Sequence, residues 1–300
     1  MTAAALVAAA LAGIVLPHLL RFERADPVTA AVIWGAALGL RALVVVGTVA
    51  GALVLLHPAQ LLRAFAEWPC APHHHVAGHA VAAVGGLALA LSFVWAMARV
   101  VQATLAVRRL IRRPLGRGPE GSVIVGGDDV VLAVAGLTKP TLVVSAGALT
   151  RLDDAELSAA IAHERAHIRR RHRFVLLFAE LCRVLGRPLP GTAHAVRELR
   201  FQIERDADRS AVRDRADRLA LASAICKAAT VTTARPGMAS LGGDGTAARV
   251  RELLQDAAPD AHPVGLRALA ASAAALAVGA ALSLPAMVSG LGDPVAMCGA

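Results

Sequence analysis

The stretch AHERAHI at residues 162–168 forms an HExxH pattern inside an apolar, helix-forming run. Residues four apart lie on the same face of a helix, so His163 and His167 can present two imidazole nitrogens to one metal ion. Glu164 projects beside them, where a carboxylate can take a proton from a metal-bound water. This pattern is typical of metal-dependent hydrolysis. The alternative interpretation is a surface helix that carries an ordinary histidine pair.

A hydrolytic zinc site also needs a third protein ligand. The longer pattern HExxHxxGxxH is excluded, because the chain has Arg170 and Arg173 where that pattern needs Gly and His. A later predicted helix offers Glu204 and Asp208 at i and i+4. Glu204 can be the third ligand, and Asp208 can accept a hydrogen bond from the free ring N–H of a ligand histidine. The alternative is a solvated helix with alternating charges.

The motif HERAH at 163–167, followed by ERDAD at 204–208, resembles the gluzincin membrane peptidases, which include HtpX and the CaaX prenyl protease. The chain is most similar to the BlaR/MecR-type antirepressor peptidases. The resemblance covers roughly residues 121–221 and extends to the membrane plan described below. It implies a zincin-like α+β peptidase domain.

The resemblance also implies the roles of five residues. It implies one Zn²⁺ ion per chain, with His163, His167 and Glu204 as ligands. It implies that Glu164 is the general base and that Asp208 holds a ligand histidine in place. A second donor to the oxyanion is not implied by any motif.

Composition indicates a membrane protein, since 56% of the 300 residues are hydrophobic and 18% are charged. Four apolar runs are long enough to cross a bilayer: 1–20, 28–56, 76–98 and 269–291. Arginines follow the first and third runs, which places those ends in the cytoplasm by the positive-inside rule. Arg41 interrupts the second run. It is explained by snorkelling from a tilted helix, by a span that starts near it, or by a buried functional arginine.

The predicted fold is therefore a mainly α membrane protein with about four transmembrane helices and a peptidase domain between the third and the fourth. We expect a membrane domain at 1–117, a cytoplasmic metallopeptidase domain at 118–264, and a last helix with a short outer tail at 265–300. The predicted location is the cell membrane, with several passes. Only about ten residues follow the fourth span, so we expect no C-terminal penicillin-binding sensor domain.

Short β-branched runs at 122–125, 130–134 and 141–145 predict a small antiparallel sheet before the HExxH helix. Thr150 or Asp153 can cap that helix. In the peptidases that the chain resembles, an edge strand commonly pairs with an extended substrate. The candidate substrate strand consists of Thr141, Leu142, Val143, Val144 and Ser145. The alternative is a strand that only supports the helix.

Several other segments carry weaker expectations. The apolar run 174–185 is too short to span a bilayer, which disfavours an HtpX-like plan, and the helix at 247–255 is expected to serve packing. His172 and His194 are the candidates for a second oxyanion donor. Cys70 and Cys298 both fall outside the cell in this topology, so they are candidates for a disulfide. Cys70 could instead bind a metal with the three histidines at 73–75.

The expected activity is peptide-bond hydrolysis in the cytoplasm. The resemblance implies a BlaI-like transcriptional repressor as the substrate, within a signalling pathway. Alternatives are a broad quality-control protease of the HtpX type and a membrane scaffold without enzymatic activity. The net charge of +9 comes mainly from arginines near predicted membrane boundaries, and only two lysines occur. Anionic lipid is therefore the expected partner, and direct binding of nucleic acid is not expected.

Overall fold

The structure, a computed structural model, describes residues 3–19, 22, 25–55, 73–111, 114–136, 139–229 and 245–255. The described part is mostly helical and contains one small sheet, as the sequence predicts. The predicted fourth span, Cys70 and Cys298 lie outside the described residues.

Three long helices form the N-terminal part: α1 (Ala3–Leu19), α2 (Pro27–Leu55) and α3 (His73–Ile111). Two stretches within them, Pro27–Val49 and Val84–Gln102, are long and apolar enough to cross a membrane. These stretches correspond to the second and third predicted spans. The first predicted span coincides with α1, whose 17 residues give a length of about 26 Å.

The sheet has four strands: β1 (Gly116–Arg117), β2 (Val123–Val125), β3 (Leu132–Ala135) and β4 (Thr141–Ser145). Their order is β1-β2-β4-β3. β4 pairs antiparallel with β3 but parallel with β2, so the prediction of a purely antiparallel sheet is wrong. The reason is geometric. β3 reverses the chain and β4 reverses it again, so β4 can lie beside β2 only in the same direction.

The position of β4 contradicts the premise of the substrate-strand prediction. The strand formed by Thr141, Leu142, Val143, Val144 and Ser145 lies between β2 and β3, and it pairs with both. Its backbone groups are therefore used within the sheet, and its central side chains are buried. Within the described residues the edges of the sheet are β1 and β3.

Six α-helices follow the sheet in the described residues: α4 (Ala146–Arg151), α5 (Asp154–Arg169), α6 (His172–Leu185), α7 (Thr192–Ala211), α8 (Arg215–Ala229) and α9 (Thr246–Leu254). Asp153 caps α5, because its side chain accepts the Glu156 N–H at 2.8 Å while Glu156 accepts the Asp153 N–H at 2.9 Å. This capping box confirms Asp153 as the cap. Thr150 lies inside α4 instead.

The two larger hydrophobic cores among the described residues hold these elements together. The first joins the sheet, α5 and α8, and it includes Leu132, Val144 and Ile225. The second joins the early part of α2 to α6 and α7. Because α5 and α7 also pack against each other, the HExxH helix and the helix with Glu204 are fixed side by side.

Candidate metal centre

The two histidines of the HExxH motif lie one turn apart on the buried face of α5. His163 is 1% exposed and His167 is 8% exposed. Their Nε2 atoms lie 3.2 Å apart. Both nitrogens therefore point toward one common position, as the i, i+4 spacing predicts.

Glu204 of α7 reaches the same position. Its Oε2 lies 3.4 Å from His163 Nε2, and its Oε1 lies 3.7 Å from His167 Nε2. The three residues offer ligand atoms that all lie within 4.8 Å of one another. Two imidazole nitrogens and one carboxylate form a donor set that suits a divalent metal with an open position for water. The residues therefore fit the expected ion.

The charges around this position favour a cation. Burial lowers the pKa of His163, but the carboxylates of Asp208 and Glu204 outweigh burial and raise it to about 10. Burial lowers the pKa of His167 to about 3 despite the attraction of Glu204, with help from the charges on neighbouring groups. His167 is therefore neutral, the state that a ligand nitrogen needs.

Glu164 lies beside the two histidines and is 3% exposed. Burial raises its pKa to about 8, although the neighbouring His163 acts in the opposite direction. The backbone N–H of Val134 in β3 lies close enough to this carboxylate to lower its pKa. A carboxylate with a pKa near neutrality can both accept and release a proton. The active helix and the edge strand thus meet at this residue.

Asp208 lies one turn after Glu204 and contacts the other side of His163. Asp208 Oδ1 is 2.9 Å from His163 Nδ1, which leaves Nε2 free to face Glu204. A carboxylate in this position holds the tautomer that a metal requires at Nε2. The structure therefore brings His163, Glu164, His167, Glu204 and Asp208 together. It places the strand 141–145 elsewhere, in the middle of the sheet.

Residues 131–245 match the family model described as BlaR1 peptidase M56. The matched segment contains the whole cluster described above, and it confirms the resemblance to BlaR/MecR-type membrane metallopeptidases. The match supports a membrane-associated metallopeptidase that acts on proteins or peptides. No curated protein matches the chain significantly.

Arg249 reaches the BlaR1-type site from α9, just beyond the matched segment. It is 0% exposed, and it donates from Nη2 and Nε to the two carboxylate oxygens of Asp208 at 2.7 and 2.8 Å. Its Nη1 lies 2.9 Å from Glu204 Oε2. This arginine was not predicted from the sequence, because its helix was expected to serve packing. The only available signal was that two buried acids need a cationic partner.

His172 and Asp206 extend the BlaR1-type site behind His167. His172 Nδ1 lies 3.0 Å from His167 Nδ1, and His172 Nε2 lies 3.1 Å from Asp206 Oδ2. If His167 binds metal through Nε2, its Nδ1–H donates to His172, and His172 Nε2–H donates to Asp206. Both ring nitrogens of His172 are then in use, so this position does not support a role as oxyanion donor.

The other candidate donor, His194, lies at the far end of α7. Its ring packs at 5.1 Å from His18 and at 5.6 Å from Trp34, measured between ring centroids. Ten residues of helix separate it from Glu204, a distance of about 15 Å. His194 therefore lies outside the BlaR1-type site.

Proposed function

We propose that the protein is a membrane-embedded zinc endopeptidase that hydrolyses peptide bonds on the cytoplasmic side. One observation carries the proposal: His163, His167 and Glu204 converge beside a buried Glu164. The match to the BlaR1 peptidase model over the same residues supports it. The donor set of two imidazoles and one carboxylate favours zinc over magnesium or calcium, which prefer oxygen ligands.

Each residue of the site has a separate role in the proposed hydrolysis. When bound, zinc supplies a Lewis acid and lowers the pKa of a coordinated water. Glu164 takes the proton of the attacking water and passes it to the leaving amine. Asp208 and His172 hold the two ligand rings in the required tautomers.

The edge strand β3 is the surface that we propose for the substrate backbone, in place of β4. The carbonyl of Val131 accepts the Ser145 N–H, so alternate residues of β3 face β4. The backbone groups of Leu132 and Val134 therefore face away from β4, and of the two residues only Val134 is partly exposed. The Val134 N–H also lies close enough to Glu164 to lower its pKa. An extended peptide that pairs with this edge would pass directly over the catalytic carboxylate.

The proposed substrate is a cytoplasmic transcriptional repressor of the BlaI-like type, cleaved in response to a signal at the membrane. This proposal is supported by the resemblance to BlaR/MecR-type peptidases and by the match to the BlaR1 peptidase family model. A broad quality-control protease would share the same site. The range of substrates distinguishes the two activities.

The test uses full-length protein in lipid nanodiscs, as wild type, Glu164→Gln and Glu204→Gln. The substrates are casein and any repressor-like protein encoded nearby. We expect zinc in the wild type and in Glu164→Gln, cleavage by the wild type alone, and loss of zinc from Glu204→Gln. Normal cleavage by Glu164→Gln would disprove the catalytic assignment. Absence of zinc from all three would favour a non-enzymatic scaffold.

A further inference from the structure

The helices α6 and α7 form an antiparallel hairpin that packs along the first part of α2. Ile33, Trp34 and Leu38 of α2 are buried in the core that this hairpin forms. At the start of α2, Arg205 of α7 donates to the carbonyl of Phe22 at 3.2 Å. A stretch that looks like a membrane span by composition is therefore covered by the peptidase region over much of its length.

The turn between α6 and α7 meets α2 at Arg41. A methyl group on Gly191 in this turn would lie 3.4 Å from Arg41 Nη2 and 3.1 Å from His18 Nε2. A methyl group on Gly186 would lie 3.3 Å from Arg41 Cβ. The hairpin thus runs beside residues 27–41 of α2, which form about four helical turns.

Arg41 is itself 1% exposed and is held by uncharged partners. It donates to the carbonyls of Ala37 at 3.2 Å and Ile14 at 3.0 Å, and it lies 2.6 Å from His18 Nε2. No carboxylate pairs with it among the residues that the structure describes. Its Nε is buried without a hydrogen-bond partner. An arginine held in this way is tolerated near the edge of a bilayer far better than at its centre.

The surfaces on the two sides of Arg41 differ in polarity. Toward the start of α2, Val28 and Val32 line a cleft of about 610 Å³ whose remaining lining residues are polar or charged: Asp26, Thr29, Arg170, Asp206, Arg209 and Ser210. Past Arg41, Val46 is 37% exposed, and the neighbouring helix α3 also carries exposed apolar side chains, among them Val84 at 66% and Leu91 at 60%. The first surface suits water and the second suits lipid.

Positive charge surrounds the turn of the hairpin. Arg183, Arg187 and Arg197 project there, and Arg187 and Arg197 are exposed. Glu180 pairs with Arg183, but Arg187 and Arg197 form no ion pair with another described residue. Charged side chains at this turn cannot lie in hydrocarbon, whereas anionic headgroups attract them. We call the turn 186–191 with these three arginines the hairpin tip.

We propose that the bilayer begins at the level of Arg41, and that the hairpin tip rests on the anionic phospholipid headgroups of the membrane. The turns of α2 before Arg41 then belong to the peptidase domain. Twelve residues of α7 separate Thr192 from Glu204, so the metal centre stands roughly 18 Å above the tip. The peptide bond is therefore cut in water, outside the bilayer. This inference rests on the proposed membrane location but not on peptidase activity.

The test places one nitroxide label on each side of the proposed boundary. Val32→Cys and Val46→Cys change valines of the same helix, both inside the apolar stretch Pro27–Val49. They are made in full-length protein whose Cys70, Cys226 and Cys298 are serine, and they are reconstituted in nanodiscs. Zinc content and unfolding temperature serve as controls for correct folding.

The readout is the spin relaxation of each label caused by collisions with a paramagnetic reagent. We expect the label at Val32 to be relaxed mainly by a water-soluble nickel chelate and the label at Val46 mainly by oxygen. Preference for oxygen at both positions would place the hairpin inside the bilayer and overturn the boundary. Preference for nickel at both would show that α2 does not enter the bilayer, which would overturn the boundary at Arg41. Neither readout depends on whether the protein cleaves peptides.

A second experiment tests the anionic headgroups. The double variant Arg187→Gln/Arg197→Gln is compared with Arg213→Gln/Arg215→Gln, which removes one exposed arginine after α7 and the exposed arginine that begins α8. The measured quantity is the ratio of phosphatidylglycerol to phosphatidylcholine that stays bound to the protein. We expect this ratio to fall roughly fivefold for each arginine removed at the tip. The control should retain the wild-type preference. Equal retention in both double variants would overturn the tip as the lipid contact.

Discussion

Arg249 and Asp208 form a bidentate ion pair in which both side chains are almost completely buried. The same guanidinium lies 2.9 Å from Glu204 Oε2, so one arginine compensates two acids at the metal centre. These contacts raise the pKa of Arg249. A hydrogen bond from His163, followed by the charge of Arg249, lowers the pKa of Glu204 to about 2, although burial acts against both changes. Arg249 therefore stabilises the carboxylates in the charged form that a metal needs.

This pair predicts that Arg249→Gln destabilises the metal-free protein more than the zinc-loaded protein. Removal of one partner of a buried pair costs about 3 kcal/mol. Bound zinc supplies a replacement cation, so it should restore part of that loss. The measurement is the unfolding temperature with and without a chelator. Arg251→Gln, an exposed arginine on the same helix, is the control. An equal loss in both conditions would contradict the role of Arg249.

The chain of contacts from His167 through His172 to Asp206 predicts a second effect on metal binding. His172→Ala leaves His167 Nδ1 without its partner, so the ring is held less firmly as a ligand. We expect zinc affinity to fall by roughly 10- to 100-fold. The affinity is measured by competition with a chromogenic chelator. His194→Ala, about 15 Å away on α7, should keep wild-type affinity. Unchanged affinity in His172→Ala would show that the contact has no role in ligation.

The sequence predicts the parts of the centre that depend on local spacing, and it misses the parts that depend on tertiary placement. His163 and His167 follow from the helical repeat, and Asp153 follows from the pattern of a capping box. Arg249 cannot be predicted in this way, because 41 residues separate it from Asp208 and only the packing of α9 brings them together. The residues around Arg249 predict a helix that packs against the protein, but they do not indicate which acidic residues Arg249 contacts.

The same limit explains the error on the sheet. The β-branched runs predict strands, and three of the four strands lie where expected. The order of the strands depends on which strands pair in the folded chain. The residue composition of each strand does not predict that pairing. β4 consequently occupies the centre, and the strand beside Glu164 is β3.

Glu156 predicts a dependence of stability on pH that is separate from the metal centre. Burial raises its pKa, but hydrogen bonds from Lys227 and Ser223, both at 2.6 Å, and from the backbone of Asp153 outweigh burial and hold the pKa below its usual value. A lowered pKa in the folded state means that the stabilisation is present at neutral pH. It is lost as the pH falls through that lowered value.

We therefore expect Glu156→Gln to lower the free energy of unfolding by about 2 kcal/mol at neutral pH. In the acid range the variant should lose less further stability than the wild type, because it has no carboxylate to protonate at this position. Chemical unfolding at a series of pH values measures both effects. Asp154→Asn, an exposed acid in the same helical turn, should follow the wild type. If the free energy of unfolding changed with pH in the same way in Glu156→Gln and in the wild type, the link between Glu156 protonation and stability would be contradicted.

The open edge of β3 predicts where a bound substrate protects the backbone from hydrogen exchange. The Val134 N–H faces away from β4 and is not used in the sheet, and its residue is partly exposed, whereas Leu132 is completely buried. In Glu164→Gln, which keeps the metal but should not cleave, a substrate peptide is expected to slow exchange at Val134. The amides of β4 that pair with its neighbours should be protected with or without peptide, which provides an internal control. Protection at β1 with no change at β3 would place the substrate at the opposite edge of the sheet, away from Glu164.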